Sequence, residues 1–180
     1  FSVEEREELI RKYPAAGDFL KRYISADDYI NNKWRFCLWL KGVSPTMYRN
    51  IPLIMKRLEM VAECRRKSPT ESVQRDADTP MLFTQIRQPE TQYLAMPEVS
   101  SSRRRYIPFG YMEPDTIASN MLYLVSNATL YMFGVMTSNV HMAWLRIVGG
   151  RLKSDYRYTP AVYNNFPWPA PTPEQKAKIE

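Results

Sequence analysis

One histidine and two cysteines in 180 residues leave little material for metal or nucleophilic chemistry. Cys37 and Cys64 lie far apart and follow no metal-ligand or redox spacing, which argues against a His/Cys zinc site. Both read as buried free thiols of a reducing cytosol, and the chain is expected to be cytoplasmic. The single histidine, His141, sits in the apolar run Asn139-Val140-His141-Met142-Ala143-Trp144, where core or interface packing explains it better than catalysis. No glycine-rich phosphate loop is present. No apolar run approaches the roughly 20 residues of a membrane span, and no signal peptide is visible. The acidic pairs Asp27-Asp28, Asp76/Asp78 and Glu113/Asp115 fall in loop-like stretches and read as solvated. Asn165-Phe166-Pro167-Trp168 has a superficial likeness to the Asn/Asp-Pro-Pro-aromatic tetrapeptide of amino-group DNA methyltransferases. It lacks adjacent prolines, and no glycine-rich cofactor strand precedes it. The chain is therefore expected to carry no catalysis, metal or cofactor of its own. It also lacks an initiator Met and opens inside a helix-like stretch, which reads as a piece of a larger protein.

What is present is a core and an excess of cations. Hydrophobic residues make up 44% of the chain, ample for one domain or two small lobes, and the net charge of +6 favours a polyanionic partner. Residues 2–13 read as a helix with a Ser2/Glu5 capping box, ended by Pro14. Asp18 to Arg22 reads as a short helical turn. The aromatic run Trp34-Arg35-Phe36-Cys37-Leu38-Trp39-Leu40 reads as a core strand. Pro52 opens the clearest helix, 52–67, whose basic end Arg65-Arg66-Lys67 reads as solvated, with phosphate contact as the alternative. Residues 68–79 read as a surface loop. Segments 81–84, 92–96, 104–108 and 121–125 look strand-like. Residues 128–148 read as two helices broken near Ser138-Asn139 and ended by Gly149-Gly150. Residues 164–169 read as irregular, and Thr172-Pro173 starts a last helix. The expected class is α+β (mixed α/β): a short-stranded sheet with a helical layer, organised as an N-terminal helical connector (1–20), a main domain (21–170) and the start of a C-terminal connector (171–180).

The most informative segment is Arg151-Leu152-Lys153-Ser154-Asp155-Tyr156-Arg157-Tyr158-Thr159, with a charge at every odd position from 151 to 157. As one extended strand it would project Arg151, Lys153, Asp155 and Arg157 from one face and anchor Leu152, Tyr156 and Tyr158 on the other. Such a row suits base-pair edges, because Lys or Arg donates to guanine O6/N7 and Asp accepts from cytosine N4. A solvated edge strand with an internal ion pair is the alternative. A second cluster, Ser101-Ser102-Arg103-Arg104-Arg105-Tyr106, combines hydroxyls and cations of the kind that contact phosphate oxygens. Its alternative is an exposed loop paired with acids such as Glu98.

Several motifs in order give the chain a family likeness. They are Trp34-Arg35-Phe36-Cys37-Leu38-Trp39-Leu40, Met96-Pro97-Glu98-Val99-Ser100-Ser101, Arg104-Arg105-Tyr106-Ile107-Pro108, Ala118-Ser119-Asn120, Phe133-Gly134-Val135-Met136-Thr137-Ser138, His141-Met142-Ala143-Trp144, Gly150-Arg151-Leu152-Lys153-Ser154-Asp155-Tyr156-Arg157-Tyr158 and Tyr163-Asn164-Asn165-Phe166-Pro167-Trp168-Pro169. Over roughly residues 20 to 170 the chain resembles the target recognition domain of the MmeI-type (type IIL) restriction–modification proteins. These join a nuclease, an adenine-N6 DNA methyltransferase and one recognition domain. The resemblance implies double-stranded DNA as partner, a methyltransferase domain in the same polypeptide and S-adenosylmethionine as the parent protein's cofactor. It also implies base reading by Glu98, Asn120, Met121, Lys153, Asp155 and Arg157. The charged pair after Gly-Arg-Leu varies in the family. Lys153 and Asp155 here would read a guanine and its paired cytosine beside the methylated adenine. Asn120 suits adenine N6/N7, Glu98 a cytosine or adenine amino group, and Met121 an apolar contact. Arg103, Arg104, Arg105, Arg151, Ser101 and Ser102 are the expected backbone contacts.

Two other readings stay open. An RNA-binding module would stack bases on exposed aromatics, whereas the aromatics here mostly fall in apolar runs. A structural interaction domain would dock a neighbour through its Met-rich helices (Met132, Met136, Met142), with the His141-Met142-Ala143-Trp144 face as candidate.

Overall fold

A computed structural model describes residues 1–180. In chain order the elements are α1 (Val3–Lys12), a 3-10 helix (Pro14–Phe19), β1 (Leu20–Ile24), α2 (Ala26–Ile30), β2 (Arg35–Leu38) and α3 (Pro52–Arg66). They continue with α4 (Glu71–Arg75), β3 (Tyr93–Pro97), β4 (Val99–Ser100), β5 (Gly110–Met112), β6 (Thr116–Ala118) and β7 (Leu122–Ser126). The last are α5 (Leu130–Met136), α6 (Asn139–Val148), β8 (Gly150–Leu152), β9 (Asp155–Arg157), α7 (Pro160–Asn164) and α8 (Pro173–Ile179). The class is α+β, with short strands in small sheets. No helix is long and apolar enough to cross a membrane. The chain packs as two compact units, Phe1–Tyr23 with Trp34–Gln88 and Ile24–Lys33 with Pro89–Glu180.

In the first unit, α1 starts where its capping box dictates. The Ser2 hydroxyl accepts from the Glu5 N–H, and the Glu5 carboxylate accepts from the Ser2 N–H at 2.7 Å. β1 and β2 pair antiparallel, Leu20 opposite Leu38. The core joins Leu9, Phe19, Leu20, Tyr48, Ile54 and Leu58. The expected helical turn over 18–22 is instead the end of a 3-10 helix followed by a strand. The sequence 68–79 is not a bare loop: Glu71–Arg75 is helical and Asp76–Asp78 forms a 3-10 turn. Arg65 explains this. Its guanidinium donates to the carbonyls of Asp76, Thr79 and Leu82 at 2.7–3.0 Å, so it organises the following segment and is neither solvated nor free for phosphate. Residues 81–84 form no strand. Cys64 is exposed, against expectation. Cys37 is half-buried, and burial pushes its thiol up to about 12.

In the second unit, β3 is the middle of the sheet β5-β3-β7, antiparallel to both neighbours. All five of its residues are buried, consistent with its apolar run. A second small sheet has the order β4-β9-β8. The core beneath both includes Leu94, Met96, Ile107, Phe109, Met142, Leu145 and Tyr158. The apolar stretch breaks into α5 and α6 as expected, each started by a hydroxyl N-cap, Thr129 and Ser138. The sequence 160–164 is a short helix begun by Pro160, and Thr172 caps α8 with Gln175 closing the box.

Candidate nucleic-acid interface

The charged segment is a hairpin, not one strand. Gly150 pairs with Arg157, Arg151 with Tyr156 and Leu152 with Asp155, so only Lys153 and Ser154 connect the strands. Lys153 adopts φ 56°, the positive φ that tight hairpins need at a turn position. The chain reversal undoes the single-face alternation expected over 151–157. It survives on β9: Tyr156 is buried, as is Tyr158 just beyond it, while Arg157 projects outward and Asp155 shares its side. Across the hairpin, Arg151 lies on the Tyr156 side, its guanidinium 3.9 Å from that ring. Leu152 is 54% exposed and anchors nothing.

Lys153 stands at the exposed tip, and no carboxylate pairs with it. The internal Lys–Asp ion pair of the alternative reading does not form. Asp155 instead accepts from the backbone N–H of Ser102 at 3.2 Å. That bond ties the hairpin to the turn after β4, which itself runs antiparallel to β9.

Glu98 and Arg157 meet. Arg157 Nε and Nη2 both lie 2.7 Å from Glu98 Oε1. The backbone fixes this approach: the Tyr158 N–H donates to the Glu98 carbonyl at 2.7 Å, and the Glu98 N–H donates to the Met121 carbonyl at 3.1 Å. Met121 and Asn120 protrude from the turn between β6 and β7. That turn is held by Ser119, whose N–H donates to the Ile24 carbonyl and whose hydroxyl accepts from the Met121 N–H. Three separate segments thus bring Glu98, Met121 and Arg157 together, with Asn120 and Asp155 beside them in sequence.

The arginine triplet lies in a turn and bend rather than the expected strand over 104–108. Ser101 closes that turn, its hydroxyl accepting from the Arg103 N–H and its carbonyl from the Arg104 N–H. Ser102, Arg103 and Arg105 are exposed, and Arg104 is half-buried. Arg105 covers the Tyr106 ring at 5.2 Å. No carboxylate pairs with the three, and Glu98, their suggested partner, is taken by Arg157.

Beneath the hairpin, His141 is fully buried. Its Nε2 lies 2.9 Å from the Tyr158 hydroxyl, and the Phe166 ring centroid is 4.6 Å away. Burial lowers its pKa to about 4. In the suggested His141–Trp144 docking face, His141 and Met142 are interior, Trp144 is half-buried with its indole N–H donating to the Val162 carbonyl, and Ala143 is exposed. The exposed apolar residues of α6 are Val140, Ile147 and Val148. Trp34 is the exposed large aromatic, and the Arg22 guanidinium covers it at 3.8 Å.

Two participants were not singled out from sequence. Arg146, in the last turn of α6, lowers the pKa of the Tyr156 hydroxyl together with Arg151. Gly149 joins α6 to the hairpin so closely that a Cβ there would sit 2.5 Å from the Leu145 carbonyl oxygen. The Gly149-Gly150 pair marked a helix end, but nothing in the sequence marked the contact.

The family "MmeI, target recognition domain" matches residues 1–170. "DNA methyltransferase A" of Bacillus subtilis (strain 168) is 36% identical over 181 residues, covering 100% of this chain and 21% of that protein. The solved structure of the type IIL restriction–modification enzyme MmeI in complex with DNA superposes with a TM-score of 0.94 at 40% identity, over 98% of this chain and 24% of that one. The chain thus spans about a fifth to a quarter of the relatives it matches. It belongs to the MmeI target recognition domain family.

Proposed function

We propose that the chain is the sequence-reading domain of a longer restriction–modification polypeptide. It binds double-stranded DNA so that a methyltransferase domain of the same polypeptide modifies adenine N6 within the recognised site. The action is cytoplasmic, where the cell's DNA lies. S-adenosylmethionine supplies the methyl group in the parent protein.

One observation carries the base-reading assignment. Lys153 and Asp155 are two residues apart on the hairpin, opposite in charge, yet not paired with each other. Lys153 keeps its ammonium donors for guanine O6/N7. Asp155 uses Oδ1 toward Ser102 and retains Oδ2 for cytosine N4. Arg157, Glu98, Asn120 and Met121 form the adjoining reading surface, and the turn bearing Ser101, Ser102, Arg103, Arg104 and Arg105 supplies phosphate contacts.

The test is the double substitution Lys153→Glu with Asp155→Arg in the full polypeptide, followed by mapping of methylated sites. Inverted preference at one base pair is expected. Continued methylation of the original site overturns the assignment.

A further inference from the structure

The excess positive charge of the chain does not lie with the proposed readers. The unit formed by Phe1–Tyr23 and Trp34–Gln88 carries 15 Lys and Arg against 10 Asp and Glu, whereas the unit bearing the hairpin carries 10 against 9. Nearly all of the net +6 therefore belongs to the first unit. Within it, residues 19–23 and 34–58, which include β2 and most of β1, hold seven cations and no carboxylate. A surface so biased attracts a polyanion.

On one face of the β1–β2 pair a cation is already held in place. Arg22 lies opposite Phe36 in the register, and Trp34, two residues before Phe36, falls on the same face. The Arg22 guanidinium stacks 3.8 Å from the centroid of the Trp34 ring, and that ring is 51% exposed. No carboxylate pairs with Arg22. Its Nε is buried without an acceptor, whereas Nη1 and Nη2 are left accessible. A planar guanidinium fixed on a ring loses less freedom on engaging a ligand than a free side chain does. Its fork matches two oxygens of a phosphate group. The neighbouring stack of Arg6 over Phe36, at 4.7 Å, is a poorer seat, because Arg6 stands on α1 among Glu4, Glu5, Glu7 and Glu8.

We propose that Arg22, held on Trp34, is a DNA-backbone contact of the first unit and takes one phosphodiester independently of sequence. The contact rests on the duplex-DNA reading above and extends it to a unit that holds none of the proposed readers. Such a contact positions the protein on the duplex and adds to the salt dependence of affinity without reading a base.

The experiment uses the full polypeptide and two duplexes, one with the methylated site and one of unrelated sequence, titrated over a range of salt concentrations. Arg22→Gln should weaken binding to both duplexes by the same factor. It should also reduce the slope of log affinity against log salt by about 1, with the methylated site unchanged. Arg22→Lys, which keeps the charge, should retain most of the slope. Trp34→Leu, which removes the ring beneath the guanidinium, should weaken binding to both duplexes and leave most of the slope. An unaltered affinity and slope in Arg22→Gln overturns the contact, as does a loss confined to the site-bearing duplex. A lowered denaturation midpoint with unaltered DNA binding also overturns it, and marks Arg22 as a structural cation or one that pairs with an acidic segment of the polypeptide. If Arg22→Gln does not fold, the substitution at exposed Trp34 decides, and unaltered affinity there overturns the contact. Failure of the unsubstituted polypeptide to bind either duplex overturns the DNA reading itself, and this contact with it.

Discussion

Arg157 and Glu98, 59 residues apart in sequence, share a single carboxylate oxygen: both Nε and Nη2 of the arginine lie 2.7 Å from Oε1. Each is a proposed base reader, so each is oriented by the other before DNA arrives. The Arg157 side chain is half exposed, and an ion pair of this kind adds only about 0–1 kcal/mol to stability. Its effect is on recognition. Glu98→Gln and Arg157→Gln, alone and together, should change the selectivity of methylation non-additively, with a coupling of roughly 0.5–3 kcal/mol. Strict additivity in the full polypeptide would show that the two read DNA independently.

Lys153 holds a backbone conformation that favours glycine. Lys153→Gly should leave the chain as stable as before, or more stable by about 1 kcal/mol, while abolishing the guanine preference at its base pair. Lys153→Val should destabilise the hairpin, because a β-branched residue tolerates positive φ poorly. Denaturant midpoints of the three chains, set beside their methylation profiles, separate the strain from the reading. A stability loss in Lys153→Gly contradicts this account.

Gly149 has no room for a side chain. The Cβ of Gly149→Ala would lie 2.5 Å from both the Leu145 carbonyl oxygen and Cδ1. Relief requires backbone movement, at about 1–3 kcal/mol. A lower denaturation midpoint is expected, together with reduced site selectivity, since the helix end sets the origin of the hairpin. An unchanged midpoint would mean that the junction adapts freely.

His141 is the chain's one histidine, and its pKa falls from 6.5 to about 4 on burial. The unfolded chain therefore binds the proton that the folded chain refuses. Stability is full above pH 6.5 and declines as pH drops toward 4, by roughly 3 kcal/mol in all at 1.36 kcal/mol per pH unit. Unfolding measured at intervals from pH 7 to 4.5 should show this slope. His141→Gln should flatten it, although the variant is less stable throughout. A wild-type stability that holds level from pH 7 to 5 refutes the assignment.

Much of the scaffold was legible from local chemistry. Ser2 with Glu5, Pro52 and Thr172 with Gln175 mark helix starts by capping and backbone preference, which need no distant partner. The apolar run of β3 and the break at Ser138 are similarly local. The hairpin was missed because Lys153-Ser154 lacks the glycine, asparagine or aspartate that two-residue hairpin turns favour, and alternation alone does not reveal a reversal. The strand expected over 104–108 fails because a strand needs a partner, and Ser101 instead commits that segment to a turn. Arg65 had the signature of a solvated helix end, yet its three carbonyl acceptors lie 11 to 17 residues downstream. At the site, base-edge chemistry and family resemblance together named the proposed readers. The pairing of Glu98 with Arg157 depends on packing between segments.

The inward tyrosines and outward charges of β9 divide two burdens by residue parity. Tyr156 and Tyr158 hold the strand to the interior, while Asp155, Arg157 and the tip residue Lys153 bear little of the folding energy. Charge at the outward positions can therefore change without unfolding the chain, so the face that is free to vary is the one that meets solvent.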